Sequence, residues 1–293
     1  MGDGSGGGKV PETGSKVRAA DSERAAPVSQ ERVRNLSKAL IPLSTTSAGL
    51  GKPDVKGSPL PHTPRYSLSG GFVAVSPHTD QRTHEALLAE TYGSVDWLWS
   101  GDDEIRFAKA DSMLRGFTLA VPERGAPDAW DPTPWLSTPL HPGVLHALSP
   151  GNFEAKPTEM RWVDDSAQHL ICAFSDVEPA THGCVRVRAA QGFDFVFAGG
   201  VYVGWILSAP ADFLVREWEL PPADEAPAGL AGALHAYLGT FVEPKIDRMQ
   251  DKDAALLREV DSLLARLALL PADPRRDVIA EHVADLRADW YEL

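Results

Sequence analysis

Residues 195–210 read FVFAGGVYVGWILSAP, and residues 107–122, which lie 88 positions earlier, read FAKADSMLRGFTLAVP. Both stretches follow the order Phe, eight residues, Gly, an aromatic residue, any residue, Leu, a small residue, any residue and Pro. In the later stretch Gly199 and Gly200 separate two apolar runs, which is typical of a β-hairpin. The closing proline cannot donate to a strand ladder. Each stretch therefore predicts a strand–turn–strand unit.

The similarity extends upstream, where residues 93–97, GSVDW, resemble residues 183–187, GCVRV, at an offset of 90. The long stretches share five identities in sixteen positions. That agreement fits either a true duplication or the shared residue preferences of unrelated hairpins. We therefore predict a β-rich body over residues 71–222 with a two-fold internal repeat, whose origin stays open.

Other segments of this body also have strand character. Alternating or continuous apolar side chains occur in residues 72–75, 95–99, 170–174 and 185–188. A helix is expected after Thr79, ending at Gly93. Residues 122–157 form a loop rich in Pro and Trp between the two repeats. Its prolines oppose regular secondary structure, so we expect none there.

Residues 223–293 have the apolar spacing of helices. Asp224 is the expected N-cap of a first helix that Pro244 interrupts, and Asp273 that of the last helix. Apolar residues three and four apart predict a helical hairpin over residues 245–290. This hairpin is expected to pack on the body or on the preceding helix, or alternatively to join two copies of the chain.

Residues 1–70 are rich in Gly, Ser, Pro, Lys and Thr, and predict a flexible, disordered basic tail, because such a segment buries little apolar surface. Within it, Val33, Leu36 and Leu40 share one face of a short helical pattern. This pattern indicates either a transient helix in a linker or a motif that folds onto a partner or onto the body. The predicted fold class is α+β, with the tail, the β-rich body and the helical hairpin in that order.

Charge and composition exclude several classes of protein. The net charge of −13 combines +4 in residues 1–70 with −17 in the remainder. The acidic body argues against nucleic acid binding by the folded part, because phosphate binding needs a basic face. We expect no membrane partner, because no run of 18 apolar residues occurs. Two cysteines and the polar N-terminal stretch favour reduced thiols in a cytoplasmic protein.

A thiol beside an imidazole is the strongest catalytic pattern in the chain. His182 and Cys184 are two residues apart, which places them on one face if the segment is a strand. A small hydrolase or transferase could use this pair. The pattern lacks family-specific flanking residues, so an ordinary turn followed by a strand with a small buried cysteine is the preferred interpretation.

Motifs for metals and cofactors are absent from the sequence. The glycine-rich residues 6–10 lack the Ser or Thr of a phosphate-binding loop. His78, His84 and Glu85 could form a set of imidazole and carboxylate ligands, but their spacing matches no metal motif. We therefore expect no metal site and no cofactor.

The preferred function is non-enzymatic binding of another protein, which the acidic body predicts to be basic or of mixed charge. Such a chain would act as an immunity-like inhibitor or an accessory adaptor. The acidic stretch 102–104 is itself typical of a solvated turn, and the loop tryptophans either pin the loop to the core or form a recognition surface. An assembly component that oligomerises through residues 245–290 is a further alternative. The candidate binding residues are Trp97, Trp99, Trp130, Trp135, Asp102, Asp103 and Glu104.

Overall fold

The computed structural model describes residues 43–45, 57–94, 101–147, 150–179 and 183–291, and only the backbone of residues 43–45. The proposed tail motif lies outside the described residues, and so do three other candidates. These residues are Val33, Leu36, Leu40, Trp97, Trp99 and His182. Within the described ranges the chain has the predicted α+β fold, with six helices and two large mixed sheets.

Strands and helices are largely separated along the described chain, because every strand precedes the four C-terminal helices. The strands are β1 (Leu43–Thr45), β2 (Arg65–Ser67), β3 (Phe72–Val75), β4 (Thr91–Ser94), β5 (Glu104–Ala108), β6 (Leu114–Ala120), β7 (Leu140–Pro142), β8 (Leu145–Ala147), β9 (Met160–Val163), β10 (His169–Ala173), β11 (Cys184–Ala190), β12 (Phe193–Ala198), β13 (Val201–Ser208) and β14 (Leu214–Val215). The helices are α1 (Gln81–Glu90), α2 (Thr133–Ser137), α3 (Leu230–Thr240), α4 (Glu243–Gln250), α5 (Ala254–Ala268) and α6 (Pro274–Tyr291).

The two six-stranded sheets share one topology over five strands. The first contains the order β2-β3-β6-β5-β4, and the second contains the order β9-β10-β13-β12-β11. Each set is a hairpin followed by a three-stranded meander, whose last strand pairs with the second strand of the hairpin. A sixth strand adds in parallel, β14 beside β2 and β7 beside β11. The repeated sequence stretches occupy equivalent places, in β5–β6 and β12–β13, which confirms the predicted internal repeat of the fold.

Aromatic side chains join the two sheets into a common core. Phe117 of β6 lies against Phe193 and Phe195 of β12, with ring centroids 4.6 and 4.9 Å apart. All three rings are fully buried. Aromatic pairs at such distances stabilise a core beyond the area that they bury. The inner faces of the two sheets therefore pack against each other. The outer face of the first sheet remains available for other contacts.

The C-terminal helices cover part of the same core. Asp253 is the N-cap of α5, because its carboxylate accepts the N–H groups of Ala255 and Leu256. Helices α5 and α6 pack against each other, and both contact α3, while α6 also contacts β14. The predicted helical hairpin therefore packs on its own chain. Its self-association through residues 245–290 stays a prediction. No helix in the described ranges combines the length and the apolar character needed to cross a membrane.

Three local expectations differ from the structure. The loop at residues 122–157 contains α2, β7 and β8, because Pro134 lies in the first turn of α2, where proline is tolerated. Helix α3 begins after Gly229 rather than at Asp224, whose carbonyl oxygen instead accepts a hydrogen bond from Arg275 at 2.7 Å. The folded body begins before residue 71, because Leu60 bridges to β11 and β2 lies in the first sheet.

Candidate metal centre and adjoining cleft

The connection between β3 and α1 and the first turn of α1 carry one histidine each. Pro77 cannot continue the ladder of β3. Asp80 then caps α1, accepting the N–H of Thr83 at 2.8 Å, while the Thr83 hydroxyl accepts the Asp80 N–H at 3.2 Å. This capping box fixes the first turn of the helix. It places His78 just before α1 and His84 at its first turn.

A straight row of side chains crosses four strands on the outer face of the first sheet. Arg65 of β2 lies opposite Ala74 of β3, Ala74 opposite Thr118 of β6, and Thr118 opposite Glu104 of β5. Residues paired directly across strands point to the same face. The row therefore has a guanidinium at one end, a carboxylate at the other and two small side chains between them.

The carboxylate of Glu104 contacts the imidazole of His84. Nε2 of His84 lies 2.7 Å from Oε2 of Glu104, whose side chain is only 8% exposed. The other oxygen, Oε1, is buried and makes no hydrogen bond within the described part of the chain. A buried carboxylate oxygen without a partner is unfavourable by about 1–3 kcal/mol. Glu104 can therefore take a further ligand at this oxygen.

His78 completes a three-residue cluster. Its ring centroid lies 4.5 Å from that of His84, and its Nδ1 lies 2.5 Å from the hydroxyl of Ser76. Because Ser76 occupies Nδ1, Nε2 is the ring nitrogen left to bind a ligand. Burial, together with the neighbouring His84, lowers the pKa of His78 to about 4. The imidazole is thus neutral at pH 7, which is the form that binds metal ions.

The spacing of the three side chains suits a small cation. One ring nitrogen of each histidine and one oxygen of Glu104 lie within 4.8 Å of one another. Around zinc, bonds of about 2.0–2.1 Å in a tetrahedron separate ligand atoms by about 3.3 Å. The hydrogen bond between His84 and Glu104 would lengthen slightly, with the ion replacing its proton. Because no separation exceeds 4.8 Å, the widest pair would approach by at most about 1.5 Å, which is within reach of side-chain rotation.

A cleft of about 340 Å³ opens beside the cluster. Trp218, from the segment after β14, forms one wall, with its ring centroid 5.1 Å from His78 and 5.7 Å from His84. Phe72 and the small side chains of the cross-strand row form the floor. Asp102 and Glu217 add negative charge to its lining. The cluster therefore faces a partly apolar space that is large enough for a small molecule.

Asp103 also lines the cleft, and burial perturbs its carboxyl group. Its Oδ1 accepts the Ala120 N–H at 2.8 Å, and its Oδ2 is buried without a hydrogen-bond partner among the described residues. Burial raises the pKa of Asp103 to about 7, and the charge of Asp102 adds to the effect. Asp103 and Glu104 are 2% and 7% exposed, so the prediction of a solvated acidic turn is wrong for both. Asp102 is half-buried.

The loop tryptophans pack against the second sheet. Trp135 is fully buried, and the ring of Trp130 meets it edge-on with centroids 5.6 Å apart. Nε1 of Trp130 donates to the carbonyl oxygen of Val177 at 3.0 Å. These contacts favour the alternative in which the indoles pin the loop to the core. Recognition of a basic protein stays a prediction.

Cys184 is the first residue of β11 and is half-buried. Burial raises its pKa, which disfavours the thiolate that a nucleophile needs. Its proposed partner, His182, lies outside the described residues. Catalysis by this pair therefore gains no support from the described geometry.

The carboxylate of the cluster differs from the one that the sequence suggests. The sequence groups His78 and His84 with Glu85, which is exposed and accepts a hydrogen bond from Gln81 at 3.0 Å. The third member, Glu104, lies 20 residues after His84 in the sequence. It reaches the cluster through the order of β5 and β6 in the sheet. The juxtaposition argues against the expectation that the chain has no metal site.

Comparison with protein-family models, with curated proteins and with solved structures gave no match to this chain.

Proposed function

We propose that the chain binds one late first-row divalent metal ion through His78, His84 and Glu104, with zinc as the first ion to test. The observation that carries the proposal is the convergence of these three side chains on one point, beside a buried carboxylate oxygen that has no partner in the described ranges. A divalent ion bound by both oxygens of Glu104 would satisfy that oxygen and would also bind the neutral imidazole of His78. The ligands come from the β3–α1 connection, from α1 and from β5, so a folded scaffold holds each of them.

The chemistry of the donors selects the class of ion. Two imidazoles and one carboxylate suit zinc, iron, cobalt, nickel and copper, whereas magnesium and calcium prefer sites built from oxygen alone. Affinity for nitrogen-containing sites generally rises from manganese to copper and is lower again for zinc. We therefore expect Zn²⁺ and Co²⁺ to bind much more tightly than Mg²⁺ or Ca²⁺.

Three protein ligands leave a coordination position for a water molecule or another ligand. In this fold the position would face the cleft, with Trp218 and Phe72 limiting the access of bulk water. An ion bound there would polarise a ligand oxygen or lower the pKa of a bound water. The proposed function is therefore binding of a small molecule at a metal centre.

The test uses the full chain after dialysis against EDTA and then into chelator-free buffer. Titration with Zn²⁺ in a calorimeter should give one ion per chain. A parallel titration with Co²⁺ should give the visible absorption of a nitrogen- and oxygen-ligated ion. His84→Ala and Glu104→Gln should each weaken binding by at least about 100-fold, since even outer-shell changes weaken metal sites by 10–100-fold. His141→Ala, on the second sheet, is the matched control and should bind as the parent does.

Two results would contradict the proposal. One is a flat Zn²⁺ titration of the parent chain, which would leave His84 and Glu104 as a structural hydrogen-bonded pair. The other is unchanged affinity in Glu104→Gln, which would place the ion elsewhere. Circular dichroism of each variant separates loss of the site from loss of the fold.

A further inference from the structure

The guanidinium of Arg65 has donors that the described fold leaves unused. Arg65 is 2% exposed, and its Nη1 donates to the carbonyl oxygens of His78 at 2.6 Å and of Trp218 at 2.9 Å. Its Nε and Nη2 are buried and have no hydrogen-bond partner within the described ranges. Leaving charged donors unpaired away from water is unfavourable.

The two unused donors lie on one edge of the guanidinium. Nε and Nη2 point in parallel, and this edge fits two oxygens of a carboxylate or a phosphate. The two contacts through Nη1 fix the plane of the group against the backbone of His78 and Trp218. Arg65 is therefore held in position to present the edge, as a preorganised anion site would be.

The acidic side chain that acts electrostatically on Arg65 is engaged elsewhere. Glu219 contributes favourably to the charged state of Arg65, but its carboxylate accepts the backbone N–H groups of Arg216 at 2.7 Å and of Glu217 at 3.0 Å. Glu104 lies at the far end of the cross-strand row and pairs with His84. Neither carboxylate makes a hydrogen bond to Arg65 among those observed.

We infer that the cleft binds a small ligand with an oxyanion group, a phosphate or a carboxylate, held by the Nε and Nη2 edge of Arg65. Ala74 and Thr118 separate Arg65 from Glu104 and leave a floor of small side chains for the ligand body. Because both donor atoms are covered, the oxyanion reaches them only when a side chain of the cleft wall moves. The half-buried Trp218 is a wall residue that contacts Arg65 through its carbonyl oxygen and lies beside both histidines through its ring.

The metal centre would add to the attraction. A divalent ion at His78, His84 and Glu104 would offset the negative lining of Asp102 and Glu217. One ligand could then contact Arg65 through its oxyanion and the ion through a second oxygen. This second contact rests on the proposed function, whereas the contact with Arg65 does not.

The test therefore begins with the metal-free full chain. The probes are sodium phosphate, sodium acetate and methylammonium chloride, each at matched ionic strength, with the melting temperature and calorimetric heat as readouts. Phosphate or acetate should raise the melting temperature, and the stronger of the two identifies the oxyanion class. Methylammonium should have no effect.

Two variants locate the binding. Arg65→Lys keeps a charge that can reach the backbone carbonyls but loses the two-donor edge, so affinity for the oxyanion should fall by about tenfold or more. Thr118→Leu fills the floor of the cleft between Arg65 and Glu104, and should weaken oxyanion binding by the metal-free chain similarly.

The outcomes separate the two proposals. No stabilisation by phosphate or acetate, or equal stabilisation of parent and Arg65→Lys, would overturn the oxyanion site. Stabilisation by methylammonium alone would likewise overturn it and indicate a cationic ligand. Oxyanion binding without any Zn²⁺ binding would support the Arg65 site and refute the metal centre alone.

Discussion

The hydroxyl of Ser76 lies 2.5 Å from Nδ1 of His78, and both residues are buried. This contact fixes the orientation of the imidazole and leaves Nε2 as the ring nitrogen available to a ligand. We predict that Ser76→Ala lowers Zn²⁺ affinity by about 10–100-fold, since outer-shell partners of histidine ligands have effects of this size. Calorimetric titration measures the change. Ser137→Ala, on the exposed face of α2, is the control and should not change affinity.

The second sheet depends on a buried ion pair. Asp194 is fully buried, and its Oδ2 lies 2.8 Å from Nε and 2.6 Å from Nη2 of Arg186, while Arg188 contacts Oδ1. We predict that Asp194→Asn lowers the free energy of unfolding by about 3 kcal/mol, because it leaves the charge of Arg186 uncompensated in the core. Urea denaturation measures it. Asp128→Asn, at an exposed position, should change stability by less than about 0.5 kcal/mol. A small effect at Asp194 would mean that water reaches the pair.

Gly204 of β13 belongs to the repeated stretch and permits close approach of β10. A Cβ at this position would overlap the carbonyl oxygen of Cys172 and lie 3.1 Å from the Cα of Ala173. We predict that Gly204→Ala destabilises the fold by about 1–3 kcal/mol through overpacking. Gly239→Ala, on α3 with open space around it, should instead stabilise by about 0.5–1 kcal/mol. Thermal denaturation measures the change in stability in both variants, which should be opposite in sign. Stabilisation by Gly204→Ala would contradict the close packing of β13 on β10.

The repeat at Phe107 and Phe195 could be predicted because turn glycines and strand alternation are local signals. The start of the helix after Thr79 and the cap at Asp273 follow from local rules as well. The expected end of that helix at Gly93 is wrong, because the helix ends at Glu90 and Gly93 lies in β4. The cluster of His78, His84 and Glu104 could not be predicted, since it brings α1 against β5, and that juxtaposition is a tertiary property. The burial of Trp135 and Asp103 is likewise decided by how loops fold onto the sheets. Local sequence signals therefore predict the strands and helices, whereas the packing of these elements determines which side chains form the candidate site.

The start of α6 is held by a pair of nearby residues. Asp273 accepts the backbone N–H of Arg275 at 2.8 Å and its Nε and Nη2 at 2.9 and 2.8 Å, while Arg275 is 1% exposed. These hydrogen bonds, chiefly those from the Arg275 side chain, lower the pKa of Asp273. We predict that Asp273→Asn lowers the free energy of unfolding at pH 7 by about 1–2 kcal/mol, through loss of charge-assisted hydrogen bonds at the helix start.

The difference in the free energy of unfolding between the parent chain and Asp273→Asn should depend on pH. The pKa of Asp273 is lower in the folded chain than in the unfolded chain, where an aspartate titrates near about 3.9. Its stabilisation is therefore fully present above about pH 5 and is lost as the pH falls through the folded pKa. Urea denaturation of parent and Asp273→Asn at pH 7 and near pH 3 should show a gap that narrows on acidification. The exposed pair of Asp261 and Arg287, 2.7 Å apart, supplies the control, and Asp261→Asn should alter stability by at most about 1 kcal/mol. A gap at Asp273 that is constant with pH would show that the helix start depends on shape and not on its charge.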